Sequence, residues 1–237
     1  MCAVATATST TAEPTSGRPC ATPLGLAVLI SGRGSNMLAI AGACQRGDIA
    51  ARVLRVISDR EGAAGLAAAR DLGLRTCVVA SKGFADRAAF DATLAAEIDA
   101  SGAQLVVLAG FMRILTPAFT ERYAGRLLNI HPSLLPAYRG LHTHERVLAA
   151  AEAWHGVTVH FVTAELDGGP LLLQARVAVQ PGDTAGTLSA RIQQREHIIY
   201  PRVIGWIASG RLQWHHGLPW LDGAPLHRPL LLEEHDA

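Results

Sequence analysis

Apolar residues recur along the first half of the chain in short unbroken runs, each followed by a stretch of helical periodicity. Residues 26–30 form such a run, closed by Ser31-Gly32, and predict a strand buried on both faces. A helix is predicted over about residues 36–45. The cycle repeats as strand 53–57 with helix 63–71, then strand 76–79 with helix 86–100. Two further strands are read at 104–109, ended by Gly110, and at 126–130, ended before Pro132, which has no N–H to give to a ladder. Alternation of this kind predicts an α/β fold, with a mostly parallel Rossmann-like sheet and helices on both faces.

Beyond Trp154 the rhythm changes. Residues 157–162 alternate apolar and polar, and Gly168-Gly169-Pro170 turns the chain into 171–179, which predicts antiparallel strands in the C-terminal part. Pro181-Gly182-Asp183 introduces a long helix over 184–209, with a bend expected at Tyr200-Pro201. After Arg211 one final strand is expected, then little. Residues 1–23, rich in Ala, Thr, Ser and Pro, lack the basic start and apolar block of a secretory signal and read as a disordered cytoplasmic leader. One domain is expected over 24–223, followed by a tail over 224–237.

Composition narrows the function. With 49% hydrophobic and 17% charged residues in a chain of 237, there is enough apolar surface for a sizeable core, and overall disorder is excluded. Lys and Arg number 21 against 20 Asp and Glu, so no global field favours nucleic acid or an anionic membrane. An anionic ligand must be gripped locally. No apolar run approaches the roughly 18 to 20 residues that cross a bilayer, so no membrane span is expected. Cys2, Cys20, Cys44 and Cys77 include no Cys-x-x-Cys pair, which argues against a disulfide or metal framework.

Three segments carry chemistry. Ser31-Gly-Arg-Gly-Ser-Asn36 lies between the first strand and first helix, where glycine permits close approach and helix amides face an anion. It fits a phosphate or a tight turn capped by Ser35 or Asn36; the third glycine of a dinucleotide fingerprint is replaced by Met37. In Leu127-Leu-Asn-Ile-His-Pro132 the strand period places Asn129 and His131 on one face, at the carboxyl end of a strand, with Leu128 and Ile130 on the other. An amide that donates to an oxyanion and an imidazole that moves a proton suit acyl transfer to an amine, although both residues would equally satisfy loop amides. Asp167, just before paired glycines, is a carboxylate able to orient that imidazole, or simply a turn residue. His142, His144, His155 and His160 invite a metal site, but Leu141-His-Thr-His144 introduces a helix that Thr143 is expected to cap, so no metal is assigned.

The segments Ile30-Ser-Gly-Arg-Gly-Ser-Asn36, Leu108-Ala-Gly-Phe-Met-Arg-Ile-Leu115, Leu128-Asn-Ile-His-Pro-Ser-Leu-Leu-Pro136, Gly140-Leu-His-Thr-His144 and Glu165-Leu-Asp-Gly-Gly-Pro170 together resemble the phosphoribosylglycinamide formyltransferases, folate-dependent enzymes of purine synthesis. The resemblance runs from about residue 24 to 223 and implies a phosphate-binding half over 24–125 and a catalytic, folate-binding half over 126–223. It implies that Gly34, Ser35 and Asn36 hold the phosphate of 5-phosphoribosylglycinamide and that Glu196 holds its glycinamide end. It implies catalysis by Asn129, His131 and Asp167, and contact with 10-formyltetrahydrofolate by Arg87, Met112, Arg113, Ile114, Leu115, Asn129, Val162, Thr163, Ala164, Glu165, Leu166 and Asp167. A cytoplasmic monomer or homodimer with small-molecule partners and no nucleic acid follows from the same likeness. The chain departs from the family at Arg33, where asparagine is common, and at Ala137 and Arg139, where lysine and proline are usual. The nearest rival is a hydrolase passing the same formyl group to water.

Overall fold

A computed structural model describes residues 22–233. The expected leader, apart from its last two residues, lies outside this range. Strands β1 (Leu24–Ile30), β2 (Ala51–Ser58), β3 (Thr76–Val78), β4 (Leu105–Leu108) and β5 (Leu127–His131) run parallel in the spatial order β3-β2-β1-β4-β5. The sheet continues through β6 (Trp154–Phe161), which is antiparallel to both neighbours, to β7 (Leu171–Ala178) and β11 (Leu230–Leu232). The mostly parallel α/β architecture expected from the apolar runs is therefore present, with β6 as the one reversed strand of the eight described.

Strand alternation divides the core in two. Leu26, Val28 and Ile30 face one side of the sheet with Leu128 and Ile130, while Ala27 and Leu29 face the other with Leu127. Helices α1 (Ser35–Arg46), α2 (Ala64–Asp71) and α6 (Ala185–Ala208) cover the first face through Met37, Ile40, Leu66 and Ile192. Helices α3 (Arg87–Ala100) and α4 (Pro117–Arg122) cover the second through Phe90, Leu94 and Phe119. The long α6 starts at a capping box, in which Thr184 Oγ1 accepts from the Thr187 amide at 3.2 Å and Thr187 Oγ1 from the Thr184 amide at 2.9 Å. It continues through Pro201 as one helix. No helix among the described residues is long and apolar enough to cross a membrane.

Two expectations need correction. Thr143 does not cap α5 (Thr143–Ala149); the cap is His142, held at φ 59°, which moves Thr143 inside the helix and buries it. The segment after α6 holds more than one strand. A three-stranded antiparallel sheet of β8 (Leu212–His215), β9 (Leu218–Leu221) and β10 (Ala224–Pro225) forms there, and β11 then joins the main sheet in parallel with β7.

Chain order reverses between β1 and β4, the switch point at which open parallel sheets bind ligands beyond their carboxyl ends. The loops leaving these strands are joined there, because Ser31 Oγ accepts from the Met112 amide at 2.8 Å. Buried Tyr200 of α6 fixes the next pair, its hydroxyl reaching the Leu108 carbonyl at 2.9 Å and the Leu128 carbonyl at 3.2 Å. Tyr200→Phe leaves both carbonyls buried without that donor, and should lower unfolding free energy by about 1–3 kcal/mol in urea titration.

Candidate active site

His131, at the end of β5, is the most constrained side chain of the site. Its Nε2 lies 3.0 Å from the Tyr138 carbonyl oxygen, which can only accept, so Nε2 carries a hydrogen and donates. Its Nδ1 faces the Asp167 carboxylate, 3.5 Å from Oδ2. Residue 167 and residue 131 thus meet although 36 positions apart, as the sequence alone could not establish. The Asp167 carboxylate is in turn held by the Gly140 amide, which donates to Oδ2 at 2.9 Å.

Asn129 shares the His131 face, and its cross-strand partner in β6 is His160. His160 Nδ1 donates to the Phe161 carbonyl at 2.8 Å, which leaves Nε2 as an acceptor. Burial pushes the His160 imidazole below its ordinary value and keeps that lone pair available. Asn129 Nδ2 lies 3.2 Å from Nε2, so the amide is oriented with one hydrogen on His160 and a second left for the cavity.

The carboxylate arrives on a tightly folded loop. Val162–Asp167 leaves β6 and returns at Gly169-Pro170, where the Phe161 amide donates to the Pro170 carbonyl at 3.0 Å. A Cβ on Gly169 would stand 1.9 Å from the Phe161 carbonyl oxygen, so only glycine lets the loop lie this close to the strand. Asp167 itself is at φ 47°, a left-handed conformation disfavoured for a residue with a Cβ. Tyr138, at φ 56°, and His142, at φ 59°, share that conformation on the facing loop. Such strain gathers where a backbone is held for a purpose rather than relaxed.

These groups open on a cavity of about 790 Å³. Met112, Arg113, Ile114 and Leu115 line one side, and Val162, Thr163, Ala164, Glu165, Leu166 and Asp167 line another, with Asn129 and His131 between them. Met112, Ile114, Leu141 and Leu166 are all exposed at this site, an apolar rim suited to a flat ring system. Arg113 lies over the Phe90 ring, 4.9 Å from its centroid. Arg87 is exposed at the first position of α3 and is not among the lining residues. Arg60 lines the cavity without a motif to announce it, and the Gly140 amide, being backbone, has no residue-type signal at all.

The glycine loop adjoins rather than lines this cavity. Gly34 caps α1 at φ 75°, and the first helical bond runs from the Leu38 amide to the Gly34 carbonyl at 2.9 Å. The amides of Ser35, Asn36 and Met37 therefore precede the ladder, as an anion site requires. Neither Ser35 nor Asn36 caps the helix. Instead Ser35 Oγ accepts from Gln193 Nε2 at 3.0 Å, and Asn36 Nδ2 donates to Glu196 Oε2 at 2.7 Å, tying the loop to α6. Burial raises the Glu196 carboxyl pKa, and the Asn36 hydrogen bond partly offsets this. Arg33 points to solvent.

The remaining histidines form no metal-ligating group of three or more among the described residues. His142 is exposed, with Nδ1 3.9 Å from Glu145, whereas His144, which lines the cavity, pairs through Nδ1 with Nε2 of buried His155 at 3.0 Å. Burial, reinforced by the nearby His144 and His131, pushes the His155 imidazole down to about 4. In the unfolded chain the ring titrates near 6.5, so protons bind the unfolded state first and stability falls as pH drops from about 6.5 to about 4. His155→Gln should flatten that limb of the unfolding free energy against pH by up to about 3 kcal/mol, read from denaturant melts at stepped pH.

Comparison with known proteins agrees with this geometry. Residues 24–204 match the formyl transferase family. The phosphoribosylglycinamide formyltransferase of Escherichia coli (strain K12) is 52% identical over 203 residues, covering 86% of this chain and 96% of that protein. The trifunctional purine biosynthetic protein adenosine-3 of Bos taurus is 42% identical over 188 residues, 79% of this chain but 19% of that protein. Among solved structures, the phosphoribosylglycinamide formyltransferase of Coxiella burnetii in complex with CHES superposes with a TM-score of 0.83 at 49% identity, covering 88% of this chain and 99% of that one. The chain belongs to the formyl transferase family.

Proposed function

We propose that this protein transfers the formyl group of 10-formyltetrahydrofolate to the glycinamide amine of 5-phosphoribosylglycinamide, a step of purine biosynthesis. The observation that carries the reading is the meeting of Asn129, His131 and Asp167 in one apolar-rimmed cavity beside the N-terminus of α1. The relatives bearing that activity in their names match nearly their whole length.

The ribonucleotide phosphate sits on the amides of Gly34, Ser35 and Asn36, and Glu196 reaches its glycinamide end. The folate rings lie against Met112 to Leu115 and Val162 to Asp167, with Arg113 facing the carboxylates of the donor's tail. The glycinamide nitrogen attacks the formyl carbon, forming a C–N bond as the carbonyl π pair moves onto oxygen. Asn129 donates its free amide hydrogen to that oxyanion, and so does a proton on His131 Nδ1 shared with Asp167. The carbonyl then re-forms, the bond to the folate nitrogen breaks, and Asp167 passes a proton from the attacking nitrogen toward the leaving one, releasing tetrahydrofolate.

Mixing the protein with formyl folate and ribonucleotide should release tetrahydrofolate only when both are present. Full-rate release without the ribonucleotide would assign the chain to hydrolysis instead. Asn129→Ala and His131→Ala should each reduce turnover by about a hundredfold or more while keeping folate binding, measured by steady-state kinetics and fluorescence titration. Near wild-type turnover in His131→Ala would remove the imidazole from the mechanism.

A further inference from the structure

We propose that Arg146 is a positioning residue for the Asp167 carboxylate and acts on it through a single peptide group. The proposal rests on the reading of Asp167 as the proton-carrying carboxylate.

Arg146 lies on the exposed side of α5 and does not line the cavity, so it is not placed to touch substrate. Its Nη1 donates to the Arg139 carbonyl at 2.7 Å and also lies 3.4 Å from the Leu141 carbonyl. Its guanidinium covers the Tyr138 ring, 5.2 Å from the centroid. The Arg139 carbonyl and the Gly140 N–H belong to one peptide unit and, in a trans peptide, point in opposite directions. That N–H donates to Asp167 Oδ2 at 2.9 Å, and the same oxygen stands 3.5 Å from His131 Nδ1. A line of contacts therefore runs from guanidinium to carbonyl, through the amide to the carboxylate, and on to the imidazole.

A cation on the carbonyl end polarises the amide and strengthens its N–H as a donor, since linked hydrogen bonds in a partly buried site reinforce one another. The same contact fixes the carbonyl of Arg139, a residue between two left-handed neighbours, Tyr138 at φ 56° and Gly140 at φ 78°. The strap so held also presents the Tyr138 carbonyl that receives His131 Nε2. A second tie crosses the gap, because the Arg139 side chain pairs with Glu165 on the loop that carries Asp167. Arg139 occupies the position where the family likeness led one to expect proline.

Being exposed, Arg146 is replaceable without opening the core. Arg146→Met keeps the length of the side chain and removes the donor and the charge; Arg146→Lys keeps both. In Arg146→Met, kcat should fall about tenfold, the worth of one charge-assisted hydrogen bond, with KM for both substrates within about twofold and the melting temperature little changed. Arg146→Lys should recover most of the loss. In the amide NMR spectrum the Gly140 proton should move upfield in Arg146→Met and return in Arg146→Lys. Wild-type kcat in Arg146→Met with an unmoved Gly140 resonance overturns the relay, as does a kcat in Arg146→Lys as low as in Arg146→Met. Should the wild-type protein transfer no formyl group while the Gly140 resonance still responds, the functional reading fails and the relay stands.

Discussion

The imidazole of His131 is gripped at both nitrogens, and the surrounding chain is arranged to make that possible. Nε2 spends its hydrogen on the Tyr138 carbonyl, so Nδ1 is the nitrogen left for chemistry, and Nδ1 is the one that Asp167 faces. Neither partner is near in the strand itself. Tyr138 comes from the loop after β5 and Asp167 from the loop after β6, and each holds a left-handed backbone to reach the ring. Two strained residues converging on one side chain are worth their cost only if the ring orientation matters.

The sheet supplies the rigidity on which these loops depend. Reversal of β6 relative to β5 sets His160 opposite Asn129, so a neutral buried ring orients the amide beside His131. Tyr200 ties the carbonyl before Asn129 to the end of β4, and Ser31 ties the loop after β4 to the one after β1. Gln193 and Glu196 tie the first turn of α1 to α6. The glycine loop after β1 and the amide-imidazole pair on β5 thus share one frame, with β4 between their strands.

Where the fold was legible, short-range physics decided it. Residues 26–30, 104–109 and 126–130 are apolar because both faces of a central parallel strand are covered, and that is visible without any partner. The small C-terminal sheet also has a local signature. His216-Gly217 and Asp222-Gly223 each hold successive positive φ values, 51° with 80° and 51° with 83°, the two-residue turn that matches strand twist. The pairing of β11 with β7 had no such signature, since a parallel partner 57 positions away leaves no mark in Leu230–Leu232. In the site, the shared face of Asn129 and His131 followed from strand period alone, whereas a role for them needed the family likeness. Asp167 needed the family likeness, Glu196 as well, and the Gly140 amide lay beyond both, because a backbone donor looks the same in every residue.

The loop that brings Asp167 is closed at its base by the Phe161 amide and Pro170 carbonyl, and Gly169 leaves no slack beside the strand. Its circumference is fixed at that end. Ala164, Glu165 and Leu166 at the tip are exposed, but Glu165 is held by the Arg139 side chain and by the Gly168 amide, so the part free to change length lies before Glu165. Residues inserted there would enlarge the wall of the cavity while the turn bearing the Asp167 carboxylate keeps its place.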